Sequence, residues 1–336
     1  MSGIRIAVAG ATGAVGIELL GLIDERRFPF SSLRLLASAR SAGSTVGFKG
    51  SSLTIEDLAL ADPSGVNIAF FSAGADRSRA FAPAFAEAGA WVIDNSSAFR
   101  REEQNALIVP EVNGHLLADC QNRLIANPNC STIIALLPLA ALHGAFGIER
   151  VLATTFQAVS GAGGAALDEL NTQTRTVAAG GVPEARVFAR PIIHDLIPSI
   201  GAIGANGFCV EEDKMVFESR KILECADLKI SATTVRVPVP RCHSMAIWTR
   251  LNKTATLDAI GATLASAPGI IVADEAPSPG DAAGRDAVYV GRIRRDPDDP
   301  LGFWFWAVSD QLRKGAALNA IQIAEELIAA GRVHAQ

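Results

Sequence analysis

The sequence predicts an α/β chain in two parts: an N-terminal domain doubly wound on a parallel sheet, then an α+β domain whose sheet is largely antiparallel. Three observations carry this. In the first third, short β-rich runs (IRIAVAG, SLRLLAS, VNIAFFSAG, AWVIDNS, RLIANPN) alternate with helix-length stretches such as AVGIELLGLIDE, the pattern of parallel strands joined by helical crossovers. Beyond residue 130 longer β-rich segments follow one another with fewer helices between them, which suits antiparallel pairing. Of the 336 residues, 49% are hydrophobic, enough for two sizeable cores.

The elements follow in order. Strand IRIAVAG runs directly into Gly10-Ala11-Thr12-Gly13-Ala14-Val15-Gly16, and a helix opens near Ala14. Glycines at such a strand-turn-helix junction permit a tight turn and let a pyrophosphate approach the helix N-terminus, as in a Rossmann-type fold. The spacing is G-x-x-G-x-x-G, where the commoner fingerprint is G-x-G-x-x-G. The second strand ends in LLASARSAGS, with no acid between Leu33 and Lys49. An NAD-selective fold places an acid there for the ribose 2′-hydroxyl. Ser38, Arg40 and Ser41 instead offer a cation and hydroxyls suited to a 2′-phosphate, which favours NADP; Arg40 also reads as a solvated loop charge. Residues 39–65 read as loop or short strand.

Cys130 stands in Asn127-Pro128-Asn129-Cys130-Ser131-Thr132, just before the apolar run IIALLPLAALHGAFG. A thiol at a helix start is favoured as thiolate, the nucleophilic form, by free N–H groups and the positive dipole end. The alternative is an Asn-Pro turn capping a helix, with the cysteine as small filler. Strands are then expected in ERVLATTFQAVS, LKISATTVRVPVP, MAIWTRLN, DAVYVGRIRR and GFWFWAVSD. EEDKMVFESRKIL reads as a helix whose Glu211/Lys214 and Glu218/Lys221 pairs form a solvated salt ladder. Residues 276–286 read as a surface loop, and LRKGAALNAIQIAEELIAAG as a final helix stopped by Gly331.

Arg236 precedes His243 by seven residues, so an extended chain would hold them about 23 Å apart. Pro238 and Pro240 disfavour a continued strand and suggest a bend that brings imidazole and guanidinium to one pocket. A structural histidine and an ordinary ion-paired arginine are the alternatives. Gln157 lies in FQAVSGAGG, where small residues let a ligand approach the backbone, and Arg100, closing VIDNSSAFR after a strand, reads either as an ordinary surface charge or as a functional one.

The formal charge of −5, from 30 basic and 35 acidic residues without long runs, gives no electrostatic footprint for nucleic acid or an anionic membrane. No run reaches membrane-spanning length, and the chain enters its first strand without a signal-like segment. Cysteines at 120, 130, 209, 225 and 242 form an odd, irregular set, which argues for a reducing cytoplasm and against disulfides. No Cys/His spacing suits zinc, so no metal is expected.

GATGAVG, NSSAFR, VPEVN, NPNCST, QAVSGAG, EEDKM, RVPVPRCHS and SDQLRKGAALNAIQIAE occur together in the order and approximate spacing of aspartate-semialdehyde dehydrogenase. The chain resembles that family over essentially its whole length. The resemblance implies an NADP-binding domain over 1–130, with the C-terminal helix 312–336 packing back on it, and a catalytic and dimerisation domain over 131–311 in a homodimer. It implies interconversion of L-aspartate 4-semialdehyde, phosphate and NADP with L-aspartyl 4-phosphate and NADPH, a step toward lysine (through diaminopimelate), threonine and methionine. It implies Cys130 as nucleophile, His243 as the group that takes the thiol proton and handles that of the thiohemiacetal, Gln157 orienting the thioester, and Asn129 at the oxyanion. Arg236 would hold the substrate carboxylate, Glu211 its amino group, and Arg100 with Lys214 the phosphate. Gly10, Thr12, Gly13, Ala14, Val15, Ser38, Arg40, Ser41, Ala73, Gly74, Ser160, Gly161 and Gln311 fall at cofactor positions. The chain departs from the family's usual residues at Gln311 (commonly Asn), Met245 (commonly an acid) and Cys242 (commonly Gly or Ala). N-acetyl-γ-glutamyl-phosphate reductase is the nearest rival, disfavoured by Asn129 and Ser131; a catalytically silent homologue would characteristically lack Cys130 or His243.

Overall fold

The computed structural model describes residues 3–333 and divides into two compact units, Met1–Asn129 with Ala316–Gln336, and Cys130–Gly315. In the first unit β1 (Arg5–Ala9), α1 (Ala14–Glu25), β2 (Ser32–Ala37), β3 (Thr45–Phe48), β4 (Ser51–Asp57), β5 (Ile68–Phe71), α2 (Ala75–Glu87), β6 (Trp91–Asp94), α3 (Pro110–Asn113) and β7 (Leu124–Ala126) follow in order. The strands form one sheet ordered β3-β4-β2-β1-β5-β6-β7. All neighbours are parallel except β3 and β4. The polar stretch after β2 thus becomes a short antiparallel hairpin on the sheet edge.

Alternation along β1 explains why both faces are covered. Ile6 and Val8 join a core with Leu19 and Ile23 of α1 and Ile321 and Leu327 of the C-terminal helix. Ala7 and Ala9 point the other way, to Ala82 and Phe85 of α2. Side chains alternate faces along a strand, so a run apolar at every position is what a sheet buried on both sides requires.

The second unit carries α4 (Cys130–Phe146), β8 (Ile148–Gln157), α5 (Gly164–Ala178), α6 (Val210–Ile222), β9 (Lys229–Arg236), β10 (His243–Leu251), α7 (Leu257–Ser266), β11 (Ile270–Val272), α8 (Pro279–Ala282), β12 (Val288–Arg295) and β13 (Gly302–Ser309). Its sheet runs β11-β12-β13-β10-β8-β9. The three inner pairings are antiparallel, and the two outer ones, β11 with β12 and β8 with β9, are parallel. The chain then returns to the first unit as α9 (Leu318–Ala329).

Three local expectations are revised. Residues 276–286, read as surface loop, contain α8, started by a capping box in which Ser278 and Asp281 satisfy each other's backbone. Strand β11 was not expected; three residues are too few for a periodic signal. The final helix is not continuous, since Arg313–Ala317 forms a π-helical turn ahead of α9. The stop at Gly331 holds, with φ at +66°.

The glycine turn after β1 is set by close approach. Gly10 has φ +87°, and a Cβ there would lie 2.3 Å from the carbonyl oxygen of Ser72. Gly13 has ordinary φ, and its Cβ would lie 3.3 Å from the Gly10 carbonyl oxygen. Gly10→Ala should therefore cost about 3 kcal/mol in urea unfolding, combining left-handed strain with backbone overpacking. Gly13→Ala should cost less than about 1 kcal/mol; equal losses would remove close approach as the reason for the first glycine.

Candidate active site

The nucleophile candidate is the first residue of α4, a helix buried along most of its length, so its axis and N-terminal N–H groups are fixed by packing. Gly315, in the π-helical turn, lies against it: a Cβ at 315 would stand 3.0 Å from the Cβ of Cys130. A glycine inside a helical run usually marks such contact, and here it leaves room for the thiol.

Sheet topology solves the separation of Arg236 from His243. β8 lies between its parallel neighbour β9 and its antiparallel neighbour β10. The end of β9 and the start of β10 therefore both fall at the C-terminal end of β8, where Gln157 pairs with Arg236 and Phe156 with Ser244. Residues 237–242 cross over that end. Val239 N–H donates to the Val237 carbonyl around Pro238, and Val159 N–H donates to the Val239 carbonyl. The bend expected from the two prolines is present, and both side chains converge on Gly161, whose Cβ would lie 3.0 Å from an Arg236 guanidinium nitrogen and 3.1 Å from His243 Nε2.

The backbone of Ala158 orients both. Its carbonyl accepts from an Arg236 guanidinium nitrogen at 2.6 Å, and its N–H donates to His243 Nδ1 at 3.1 Å. His243 is fully buried, and its Nε2 has no protein hydrogen-bond partner among the described residues. Burial, reinforced by the Arg236 charge, holds its pKa well below the ordinary imidazole value. With Nδ1 accepting, the neutral ring carries its proton on Nε2. Burial also pushes the Arg236 guanidinium down, while the nearby Cys130 and Glu211 hold it up.

Helix α6 is not the solvated face its ladder suggests. Glu211, Glu212 and Glu218 are buried. Glu212 accepts the N–H of Cys209 through one oxygen and that of Thr234 through the other, at 2.8 and 2.9 Å, which ties the start of the helix to β9. Glu211 then accepts from Lys214 Nζ at 3.2 Å and lies 3.4 Å from Gln157 Nε2. Gln157 Nε2 donates to the Ser131 hydroxyl at 2.6 Å. Gln311 and Ser160 hydrogen-bond to each other at 2.6 Å. Cys130, Gln157, Ser160, Gly161, Glu211, Lys214, Arg236, His243 and Gln311 all belong to the second unit.

The remaining expected positions belong to the first unit. A cavity of about 640 Å³ opens there, lined by Gly10, Thr12, Gly13, Ser38, Arg40, Ser41 and Ala73. Ala14, Val15 and Gly74 are not part of its lining, while Arg77, Asp57 and Phe81 are. The bare glycine turn at the head of α1 and this cavity fit a dinucleotide: a pyrophosphate needs backbone unshielded by Cβ atoms. Arg100 is buried in this unit and donates to the Asn95 carbonyl at 2.8 Å. Asn129, also buried, is the unit's last residue before α4.

Sequence reasoning missed Ser131, Ala158, Glu212, Gly315 and Arg77. Cys209-x-x-Glu212 has the spacing of a capping box, though with a thiol at the cap. Gly315 inside a helical pattern was a second available signal. Ala158 acts through its backbone alone, which no residue type announces.

Comparison with known proteins agrees along the whole chain. The family model for the semialdehyde dehydrogenase NAD binding domain matches residues 5–120, and that for the semialdehyde dehydrogenase dimerisation domain matches 139–314. The aspartate-semialdehyde dehydrogenase of Synechocystis sp. is 43% identical over 98% of this chain and 99% of its own. The crystal structure of aspartate semialdehyde dehydrogenase II complexed with ASA from Vibrio cholerae superposes with a TM-score of 0.96 at 41% identity, covering 98% of this chain and 99% of that one. The Candida albicans enzyme, crystallised with NADP, gives a TM-score of 0.78 at 26% identity over 98% of this chain and 99% of that one.

The depressed His243 pKa makes a prediction about stability. The unfolded chain protonates this ring near its ordinary pKa of about 6.5 whereas the folded chain resists; the contribution is therefore complete above that pH and is lost as pH falls below it. Between pH 7.5 and 5.5 the wild-type chain should lose up to about 1.4 kcal/mol more in urea unfolding than His243→Asn, the linkage slope for one proton per pH unit. Identical pH responses would mean the ring titrates alike in the folded and unfolded chain, and a wild-type chain that gains stability relative to the variant would mean the ring is charged in the fold.

Proposed function

We propose a specific reaction for this chain, which belongs to the aspartate-semialdehyde dehydrogenase family: NADP-dependent, phosphate-requiring oxidation of L-aspartate 4-semialdehyde to L-aspartyl 4-phosphate, and its reverse. The observation that carries the assignment of roles is the convergence of Arg236 and His243 on Gly161, with Glu211 and Cys130 close enough to Arg236 to bias its charge.

In the oxidative direction Cys130 reacts as a thiolate, stabilised by the helix dipole and by the Arg236 charge. Its sulfur adds to the aldehyde carbon, and the carbonyl electron pair moves to oxygen. His243 Nε2–H donates a hydrogen bond to that oxygen, with Asn129 assisting. Taking up the thiol proton, the role implied by the resemblance, would need a bare Nε2, which the Ala158 hydrogen bond disfavours in the resting chain. The bound nicotinamide supplies the hydride acceptor, and the adduct collapses to a thioester on Cys130. Hydrogen phosphate adds to the thioester carbon, the sulfur leaves as thiolate, and the acyl phosphate departs with loss of a proton to solvent. Arg236 takes the substrate carboxylate with a planar fork. Glu211 takes the free amino group. Its burial beside Lys214 supports a cationic partner and disfavours the N-acylated substrate of the rival reductase. Lys214 and Arg100 take the phosphate, and Gln157 orients the thioester.

For the cofactor, Arg40 and Arg77 line the first-unit cavity with Ser38 and Ser41, which supports a 2′-phosphate and hence NADP. The dimerisation-domain match supports a homodimer. No helix among the described residues is long and apolar enough to cross a membrane, in keeping with a cytoplasmic enzyme.

Phosphate-dependent formation of NADPH from aspartate semialdehyde by the purified chain tests the reaction, and its absence would refute it. Within that assay Lys214→Ala should raise the KM for phosphate far more than that for semialdehyde, and Arg236→Lys should do the reverse, because the charge is kept and the fork lost. An unchanged phosphate KM in Lys214→Ala would return that lysine to a plain ion pair with Glu211. Arg40→Ala should weaken NADP binding about tenfold to a hundredfold while leaving NAD unaffected; equal losses would mean Arg40 serves some group other than the 2′-phosphate.

A further inference from the structure

We propose that Gln311 is a positioning residue for His243, acting through the strained backbone of Cys242. The inference rests on the reaction proposed above and adds a residue to it. Cys242 immediately precedes His243 and has φ +74°, a left-handed conformation that side chains other than glycine, asparagine and aspartate rarely adopt and that persists only where the surroundings impose it. Gln311 imposes it. Its Oε1 accepts the Cys242 N–H at 2.7 Å, and its Nε2 donates to the Ser160 hydroxyl at 2.6 Å. Ser160 in turn donates its one proton to the Pro240 carbonyl at 2.5 Å. The three bonds run in one direction, from Cys242 N–H to the Pro240 carbonyl. Turning the carboxamide over would set two donors against each other at Cys242. The clamp thus grips the chain on both sides of Arg241, whose own side chain is held at 2.6 Å by the fully buried Asp310 beside Gln311.

The consequence falls on the next residue. Gln311, Ser160, Cys242 and His243 are all buried, so the corner cannot relax into solvent. Where Cys242 N–H is fixed, the His243 ring meets Ala158 N–H with Nδ1 and turns Nε2 toward the space above Gly161. The cofactor position implied for Gln311 keeps only one unclaimed Nε2 proton. Its length also matters: an asparagine is one methylene shorter and would not span from Ser160 to Cys242. Cys242 and Gln311, both departures from the family's usual residues, therefore read as a matched pair, the longer carboxamide holding a corner that glycine would adopt unaided.

The test is a cycle of Gln311→Ala and Gln311→Asn, each with and without Cys242→Gly. Gln311→Ala should lower kcat about tenfold to a hundredfold, as expected for a misplaced catalytic group, with the KM values for semialdehyde, phosphate and NADP within about threefold. Adding Cys242→Gly should recover about fivefold or more of the lost kcat, because glycine holds a positive φ without help. Gln311→Asn should move kcat in the same direction and carries the test if the alanine variant does not fold. Ring-nitrogen NMR of His243 gives a readout independent of turnover: the Nε2–H tautomer in the wild-type chain, mixed tautomers in the Gln311 variants. A loss that appears as a raised KM for NADP, an absence of recovery with Cys242→Gly, or an unchanged ring spectrum would each overturn the proposal. A wild-type chain inactive toward aspartate semialdehyde would refute the reaction instead, and the ring spectra would still decide the clamp.

Discussion

The backbone of Ala158 is the constraint on which the candidate site of the second unit depends. Its carbonyl holds the Arg236 guanidinium and its N–H holds His243 Nδ1, so one residue fixes two side chains that chain distance alone would separate. It can do this because β8 has a parallel neighbour on one side and an antiparallel neighbour on the other. Neighbouring strands lie about 4.8 Å apart, which sets two flanking strand ends roughly 10 Å apart across β8. Side chains of arginine and histidine close that gap over Gly161. Any residue larger than glycine at 161 would occupy the space where they meet.

The electrostatics follow from that placement. Arg236 is buried with a guanidinium whose charge disfavours protonation of His243, so the pair contains one fixed cation and one neutral donor. A neutral imidazole with Nδ1 engaged can stabilise an oxygen that develops charge without transferring a proton to it. Glu211, held by Lys214, places a carboxylate close enough to Arg236 to favour its charge. The small zwitterion proposed as substrate needs opposite charges of this kind for its carboxylate and its ammonium.

Much of this was legible from the sequence, and what was legible has a common character. Short β-rich runs such as IRIAVAG and VNIAFFSAG, separated by helix-length stretches, predicted the parallel sheet because parallel neighbours need a crossover connection. Pro238 and Pro240 gave the corner because proline cannot continue a central strand. Cys130 gave the helix start because of the Asn-Pro turn before it. The illegible parts are those where backbone acts in place of side chain, as at Ala158, or where burial reverses a local pattern. The i, i+3 pairing of Glu211 with Lys214 is the same in a solvated helix and a buried one; only the anchoring of Glu212 to Thr234 and Cys209 turns that face inward. The π-helical turn at Arg313–Ala317 was hidden for a related reason, since apart from Gly315 its residues are good helix formers.

That turn shows how the end of the chain serves its middle. A regular helix from residue 312 onward would rotate each side chain about 100° past the one before, and a five-residue π turn shifts that phase. π-helical turns of this kind occur mostly as single insertions, frequently at functional sites. Here the shifted turn sets Gly315 against the Cβ of Cys130, with Gln311 Cβ 3.4 Å from the Cβ position of the same glycine. The segment that bonds the Cys242 N–H therefore also packs against Cys130. Asp310, just ahead of it, is fully buried and accepts from Arg241 and from the Gly284 and Leu312 amides. A carboxylate that far from water persists because each oxygen is engaged. Its engagement pins the corner at 241, the loop at 284 and the start of the π turn to one point. Cys130, through its packing on Gly315, and His243, through the corner at 241, thus share one buried anchor.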